Sequence, residues 1–326
     1  MLEISIVIPT YNRPNQVVAV VQTLLQSQVS GINDIQIIVV EDGSPSPCRD
    51  VIEKITVPAP FQLKYVWQEN AGPSVARNTG LKNAAYEVVL FIDDDILVFP
   101  DMIRKHLEGH QHFPDSVIYG YCPYVIPEKE TPAYRFLTKL TDPGNTSDYI
   151  PTSAIASGNI SVEKKMFPDG EFYKSSLRTP AAEEFELMAR LRDQQVKIYF
   201  NPSIRGWHLQ PATIEDKCKQ EFKYGVGVAE VGVKVPYALS HENLKKLYYE
   251  NCPVQSGDRF SLKLKKGVKS LLAKAWIRSA LLSFVKGMER IIPIYGILIP
   301  FYRLLAGLNV FSGVREGLKK FGSPSA

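Results

Sequence analysis

The first part of the chain alternates between two kinds of segment, and this alternation restricts the fold more than any other feature. Short runs of consecutive apolar, largely β-branched residues are followed by segments whose apolar residues recur at helical spacing. Continuously apolar strands are typical of a parallel sheet covered by helices on both faces. A doubly wound α/β domain is therefore predicted, with ligands bound beyond the carboxyl ends of its strands. The strand-like runs are 3–9, 35–40, 63–67 and 87–92, and the helix-like segments are 14–28, 48–56 and 73–85.

Polar residues follow three of these strands, at 9–12, 41–44 and 93–95. The last set is three consecutive aspartates, which repel one another unless a cation lies beside them. Carboxylate oxygens suit Mg²⁺ or Mn²⁺, so this strand end is a candidate metal site. The alternative is that these acids cap the helix expected near Pro100, but apolar residues 96–99 intervene and favour the metal.

Further candidates have a weaker local signal. The segment 70–80 offers Gly72 before a predicted helix and the cation Arg77, which alone indicates only a loop and a solvated arginine. The second half has strand-like 117–126 and 197–200 and a helix-like segment at 183–193. A mixed sheet is the expected result.

A series of motifs follows the order of the predicted strands and helices. These motifs are SIVIPTYNR (5–13), VVEDGS (39–44), NAGPSVARNTG (70–80), FIDDD (91–95), SGNISV (157–162), FPDGEFY (167–173) and AEEFELMARL (182–191). Taken in order, they resemble the family 2 glycosyltransferases of the GT-A fold, a Rossmann-like α/β architecture with a mixed sheet. The resemblance extends over roughly residues 3–210. It implies an inverting, metal-dependent transfer from a nucleotide sugar such as a UDP-sugar.

The resemblance assigns the nucleotide part of the donor site to the first strand ends. It implies that Pro9, Tyr11 and Asp42 line the nucleobase pocket, where the Asp42 carboxylate accepts a hydrogen bond from the base. Arg77 lies along that pocket. Asp93 contacts hydroxyls of the ribose or of the sugar.

The resemblance also implies the residues around the diphosphate. Asp95 would bind the Mn²⁺ or Mg²⁺ that bridges the diphosphate, and His208 matches a late histidine that joins the metal or the diphosphate in some members. Gly158 and Asn159 match the acceptor-loop pattern, in which the glycine lets backbone approach the donor sugar. Without the family context, His208 reads as a packed structural histidine and the Gly-Asn pair as a plain turn.

The general base of the family follows Glu in a Gly-Glu-Asp pattern. That position is Glu184 here, after Ala182 and Glu183, and Glu is one methylene longer than the family's Asp. Either Glu183 or Glu184 could therefore take the proton from the acceptor hydroxyl, and Glu184 is the preferred candidate. A solvated first helical turn is the alternative for this acidic segment.

The last part of the chain is strongly basic. From residue 261 onward it has twelve basic and two acidic residues, whereas the whole chain carries only +4. Apolar Leu264, Val268, Leu271 and Leu272 recur among lysines and predict a basic amphipathic helix. An apolar run at 291–302 is interrupted by prolines and a glycine and is too short to span a bilayer core of about 30 Å.

These features predict peripheral docking on an anionic membrane surface, with a soluble helical subdomain or an oligomer interface as the alternative. Because no secretory signal pattern starts the chain and the four cysteines form no metal or disulfide pattern, we expect a cytoplasmic enzyme at the inner face of the membrane. The expected segments are 1–115 for the nucleotide-sugar half, 116–255 for the acceptor half and 256–326 for the tail.

The predicted function is sugar transfer to a hydroxyl of a glycan or a lipid-linked acceptor, with no nucleic-acid partner. Two alternatives remain from the sequence. One is a nucleotidyltransferase, against which the absence of a Gly-rich loop with a following basic residue after the first strand argues. The other is a catalytically silent sugar-nucleotide binder at the membrane, against which the retained acids argue.

Overall fold

The computed structural model describes residues 2–139, 148–152, 154–179, 181–209 and 213–322. The chain divides into two compact units, which we call the sheet unit and the helical unit. The expected segment boundaries after residues 115 and 255 stay a prediction. The sheet unit comprises Met1–Val125, Pro143–Arg178 and Arg190–Gln210, and the helical unit comprises Ile126–Asp142, Thr179–Ala189 and Pro211–Ala326.

Nine strands among the described residues form one mixed sheet with the order β3-β2-β1-β4-β8-β6-β9-β5, and β7 pairs with β9. Pairing is parallel from β3 to β4, and β8 then runs antiparallel to β4. This confirms the predicted mixed α/β sheet. The strands are β1 (Glu3–Thr10), β2 (Asp34–Asp42), β3 (Phe61–Gln68), β4 (Val88–Ile92), β5 (Ile96–Val98), β6 (Ser116–Tyr121), β7 (Ile150–Thr152), β8 (Asn159–Glu163) and β9 (Lys197–His208).

Helices cover the sheet and build most of the helical unit. Pro14 and Pro73 each occupy the first position of a helix, where the missing backbone N–H costs nothing. The helices are α1 (Pro14–Leu25), α2 (Arg49–Ile52), α3 (Pro73–Asn83), α4 (Met102–His112), α5 (Pro132–Lys139), α6 (Glu183–Asp193), α7 (Ile214–Lys234), α8 (Glu242–Asn251), α9 (Phe260–Leu272), α10 (Ala275–Ile291) and α11 (Tyr295–Phe321).

Both faces of the sheet are covered, which explains why β1 is apolar without alternation. Ile6 and Ile8 belong to a buried cluster with Val17 of α1. Val7, which lies between them, faces Gly80 of α3. Since successive side chains of a strand point to opposite faces, one strand supplies two cores.

Several predicted elements have different bounds in the structure, among them α2, which ends at Ile52 rather than at residue 56. β6 ends at Tyr121 rather than at residue 126, and β9 continues from Lys197 as far as His208. The expected interruptions at Gly296 and Pro300 are also wrong, because α11 continues through both residues. Packing in the helical unit outweighs the single hydrogen bond that a proline removes.

Two helices of the helical unit approach each other so closely that only glycine fits between them. A Cβ on Gly225 of α7 would lie 2.3 Å from the Val310 carbonyl oxygen of α11. A Cβ on Gly313 of α11 would lie 2.1 Å from the Phe222 carbonyl oxygen of α7. The backbones of α7 and α11 are therefore in direct contact.

We expect Gly80→Ala to destabilise the sheet unit by about 1–3 kcal/mol, the range for overpacked cores. The new Cβ would lie 2.1 Å from Val7 Cγ1, which must move with its strand. Urea unfolding followed by tryptophan fluorescence measures the change. Lys82→Ala, at an exposed position of the same helix, is the control and should change stability by less than about 0.5 kcal/mol. Equal stability of the two variants would contradict the packing that we describe.

Candidate active site

Three polar strand ends of the sheet unit lie side by side. β1 is hydrogen-bonded to both β2 and β4, and Thr10 at its end pairs with Glu41. The predicted donor-site residues after these strands are therefore neighbours. Tyr11 is half exposed beside them, and Pro9 is partly buried.

Asp42 is buried and holds the loop that leads into α3. Its Oδ1 accepts hydrogen bonds from the Gln68 side chain at 2.6 Å and from the Ala71 backbone N–H at 2.9 Å. Its Oδ2 accepts from the Gly72 backbone N–H at 2.9 Å. Gly72 has φ +93°, and a Cβ there would lie 2.8 Å from the Arg178 carbonyl oxygen, so glycine is required. The role of Asp42 in binding the base stays a prediction.

Glu41 is a buried acid at this edge to which the sequence analysis gave no role. Its carboxylate accepts a short hydrogen bond from Ser44 Oγ and one of 2.7 Å from the Cys48 backbone N–H. Ser44 Oγ in turn accepts from the Asn12 backbone N–H at 2.7 Å. Glu41 thus ties the loop after β1 to the loop after β2. A charged residue at the end of an otherwise apolar strand was the available signal.

The three consecutive aspartates have different partners. The Asp93 carboxylate accepts a hydrogen bond of 2.5 Å from the buried Arg77 guanidinium. Asp94 accepts from Thr10 Oγ1 at 2.8 Å and from Arg13 at 2.9 Å, and burial raises the pKa of Asp94 to about 6. Asp94, for which no role was predicted, is therefore held by hydrogen bonds to other side chains of the protein.

Asp95 lies between two groups that can carry positive charge. Arg13 Nη1 is 2.8 Å from its Oδ2, and His208 Nε2 is 3.7 Å from its Oδ1. The pairing of Ile96 with His208, between β5 and β9, brings this histidine to the aspartate. No role was predicted for Arg13, because its contacts are with residues distant in the chain and leave no local pattern in the sequence.

Asp95 and His208 provide one oxygen donor and one nitrogen donor on the same edge of the sheet. Within the described residues, no group of three or more His, Cys, Asp or Glu side chains could hold a metal. Mg²⁺ and Mn²⁺ often bind through one or two protein ligands together with substrate phosphates. The two donors fit that kind of incomplete site, in which a bound diphosphate supplies the remaining ligands.

Gly158 packs directly on Asp93, an aspartate of the predicted donor site. Its carbonyl oxygen accepts the Asp93 backbone N–H at 3.2 Å, and a Cβ on Gly158 would lie 2.7 Å from Asp93 Oδ2. The next residue, Asn159, directs its buried side chain into the core, where it contacts His106 Nε2 at 2.8 Å and the Ile204 carbonyl at 3.2 Å. Burial lowers the pKa of His106 to about 3. Direct ligand binding by Gly158 and Asn159 stays a prediction.

The two candidate bases belong to the helical unit, at the start of α6. Glu183 is buried, with 3% of its surface exposed, whereas Glu184 is partly exposed. Ala181 and Ala182 before them have φ values of +93° and +74°. Such left-handed conformations cost non-glycine residues about 1–3 kcal/mol and often occur at functional sites. The backbone is therefore strained at the two residues directly before the candidate bases.

Comparison with protein-family models finds a match to glycosyl transferase family 2 over residues 5–167. This is half of the chain. The chain belongs to glycosyl transferase family 2. The matched range of this family 2 domain includes Asp42, Arg77 and the three aspartates, but it ends before Glu183, Glu184 and His208.

Curated relatives match mainly this family 2 domain. Validoxylamine A glucosyltransferase of Streptomyces hygroscopicus subsp. jinggangensis is 32% identical over 143 residues, which cover 43% of this chain and 33% of that protein. EpsJ of Bacillus subtilis, an uncharacterized glycosyltransferase, is 33% identical over 144 residues, which cover 42% of this chain and 40% of that protein. The chain thus spans well under half the length of these relatives.

Solved structures with the same fold are more distant in sequence. The mannosyltransferase PcManGT from Pyrobaculum calidifontis, in complex with GDP-Man and Mn²⁺, has a TM-score of 0.57 at 13% identity and covers 95% of this chain and 86% of its own. S. aureus TarS in complex with UDP has a TM-score of 0.51 at 17% identity and covers 98% of this chain and 92% of its own. The family 2 domain therefore has the GT-A fold that the sequence motifs predicted.

Proposed function

We propose that this chain is an inverting glycosyltransferase that moves a sugar from a nucleoside-diphosphate donor to a hydroxyl of a glycan or a lipid-linked acceptor. The main support is the arrangement of the three consecutive aspartates. Asp93 binds Arg77, Asp94 binds Thr10, and Asp95 lies beside His208. These residues lie at the carboxyl ends of the strands, where ligands of such sheets bind. There they offer cations and hydrogen-bonding groups to the phosphates and the sugar of a bound nucleotide sugar.

The donor side of the proposal assigns each group a separate task. Asp42 holds the 70–72 loop, and with Pro9 and Tyr11 it borders the base. Arg77 fixes the Asp93 carboxylate, which accepts hydrogen bonds from hydroxyls of the ribose or of the sugar. Asp95 and His208 would hold a Mn²⁺ or Mg²⁺ ion. When bound, such an ion neutralises the charge that develops on the departing nucleoside diphosphate. The Mn²⁺ bound with GDP-Man in PcManGT supports this choice of cofactor.

The acceptor side of the proposal needs one base. The acceptor hydroxyl oxygen attacks the anomeric carbon, and its proton passes to the Glu184 carboxylate. The bond between the anomeric carbon and the diphosphate oxygen breaks, and the departing oxygen keeps the electron pair. Glu184 is preferred over Glu183 because it is the more exposed carboxylate.

Release of nucleoside diphosphate from a panel of nucleotide sugars tests the function. We expect turnover with at least one donor, stimulated by Mn²⁺ or Mg²⁺ and abolished by a chelator, and an inverted anomeric configuration in the product. The acceptor panel should contain free glycans and lipid-linked glycans. Absence of turnover with every donor and metal would contradict the proposal.

A membrane partner is the second part of the proposal. α9 exposes Phe260, Leu264, Val268 and Leu271, and the helical unit from residue 261 onward carries twelve basic against two acidic residues. Trp276 of α10 is also exposed. Exposed apolar side chains among cations fit an anionic lipid surface, where each cation contributes about 1 kcal/mol.

α11 has 27 residues, and its most apolar 18-residue window has a mean hydropathy of 1.5, so the helix is long and apolar enough to cross a membrane by length and composition. Half of its most apolar window is buried within the protein, and its glycines contact α7. These contacts favour α11 as a core helix of the helical unit. We therefore propose peripheral docking at the cytoplasmic face through α9 and α10.

Sedimentation with lipid vesicles tests this docking. We expect the protein to pellet with vesicles that contain phosphatidylglycerol, and to do so less with pure phosphatidylcholine or at high salt. Leu264→Glu with Leu271→Glu should weaken binding to anionic vesicles at least about tenfold, since two apolar side chains are replaced by charges of the wrong sign. Val51→Glu, an exposed apolar position of the sheet unit, is the control. Equal binding of all variants would refute the assigned surface.

A further inference from the structure

We propose that Arg13 is the internal cation of the donor site and that it must release Asp95 before a divalent ion binds there. The inference rests on the proposed function, because it concerns the metal site of the same reaction. It assigns a role to a residue in the loop directly after β1. It also predicts that metal binding and an internal ion pair compete for one carboxylate.

Arg13 bridges two buried carboxylates. Its Nη1 lies 2.9 Å from Asp94 Oδ1 and 2.8 Å from Asp95 Oδ2. The side chains of Asp94 and Asp95 are only 8% and 5% exposed. Two neighbouring carboxylates that are removed from water repel each other unless a cation lies between them. Arg13 supplies that cation in the described structure.

Arg13 cannot clear the site by losing its proton. A guanidinium stays charged at every physiological pH. The guanidinium must therefore move physically, because a divalent ion on Asp95 and a guanidinium on the same carboxylate repel each other.

The side chain of Arg13 is able to move. It is 38% exposed, so part of the side chain borders water rather than packed protein. The preceding Asn12 has φ +55° and is tied through its backbone N–H to Ser44, so the loop itself stays anchored. Rotation of the side chain alone can therefore free Asp95 Oδ2, while His208 stays beside Oδ1. The cost of this rotation is subtracted from the affinity for the metal.

Mn²⁺ binding to the full chain without nucleotide tests the inference, with free Mn²⁺ measured by electron paramagnetic resonance. We expect Arg13→Gln to lower the Mn²⁺ dissociation constant at least fivefold, because Asp95 no longer has an internal competitor. Arg13→Lys keeps the charge and should stay closer to wild type. Arg49→Gln, which removes an exposed arginine that pairs with Glu53, is the matched control and should leave the constant unchanged.

Thermal unfolding gives a second measurement. In a chelator, Arg13→Gln should melt below wild type, since its two buried carboxylates have lost their cation. Added Mn²⁺ should then raise the melting temperature of Arg13→Gln by more than that of wild type. If Arg13→Gln fails to fold in a chelator, recovery of a folded protein by Mn²⁺ alone supports the inference, and failure to recover contradicts it.

The outcomes separate the inference from the proposed function. In one outcome, wild type binds Mn²⁺ together with a nucleoside diphosphate, but Arg13→Gln binds Mn²⁺ no more tightly than wild type. That result overturns only the role of Arg13. Failure of both proteins to bind Mn²⁺, even with a nucleoside diphosphate, overturns the metal site itself and with it the inference.

Discussion

Glu184→Gln is expected to lower kcat by about 10²- to 10⁴-fold, the usual contribution of a positioned general base. The substitution keeps the size of the side chain and removes its ability to accept a proton as a carboxylate. Donor affinity should stay unchanged, because the proposed role of Glu184 concerns the acceptor hydroxyl. Steady-state kinetics with a saturating acceptor, together with calorimetric titration of the donor nucleotide, measures both quantities.

Glu183→Gln is the matched control for this prediction. The two residues are adjacent, but Glu183 is buried and Glu184 is partly exposed. We expect Glu183→Gln to alter stability more than kcat. The reverse result, with kcat lost in the Glu183 variant and kept in the Glu184 variant, would transfer the role of base to Glu183.

Asp95→Asn is expected to lower kcat/KM on the order of 10³-fold and to abolish stimulation by Mn²⁺, since an ion at this position contributes several kcal/mol. An amide is a weaker ligand than a carboxylate and no longer offsets the charge of Arg13. Activity measured over a range of Mn²⁺ concentrations gives both effects. We expect the loss to remain at every metal concentration tested.

Asp101→Asn controls for the loss of a nearby acid. Asp101 precedes α4 and pairs on the surface with Lys105 at 2.7 Å. Its replacement should leave kcat/KM within about twofold of wild type, because exposed ion pairs contribute little. Full metal stimulation in Asp95→Asn would exclude Asp95 as the metal ligand.

The sheet could be predicted from the sequence because its strands are locally encoded. Residues 4–8 and 35–40 of the two apolar runs are buried throughout in the structure, as a sheet covered on two faces requires. The helix predicted at 183–193 coincides with α6. Parallel strands also bring their carboxyl ends to one edge of the sheet. The sequence therefore predicted that Asp42 and Asp93, which follow two such strands, lie at the same edge.

Contacts between distant parts of the chain could not be predicted in this way. Arg13 and Asp95 are 82 positions apart, and no periodic pattern relates them. His208 reaches Asp95 only because β9 extends beyond residue 200 and pairs with β5. The buried orientation of Asn159 depends on its contact with His106, and no sequence pattern marked this histidine. Local patterns thus identified the strand ends but not the partners of their side chains.

The backbone contact between α7 and α11 has a practical consequence for protein production. Gly225 and Gly313 allow the two helices to share one interior, so removal of α11 would expose to solvent the face of α7 that packs on it. A shortened protein would therefore be expected to aggregate rather than to become easier to purify. Polar replacements at Phe260 and Trp276, which are exposed, would remove apolar surface and leave that interior intact.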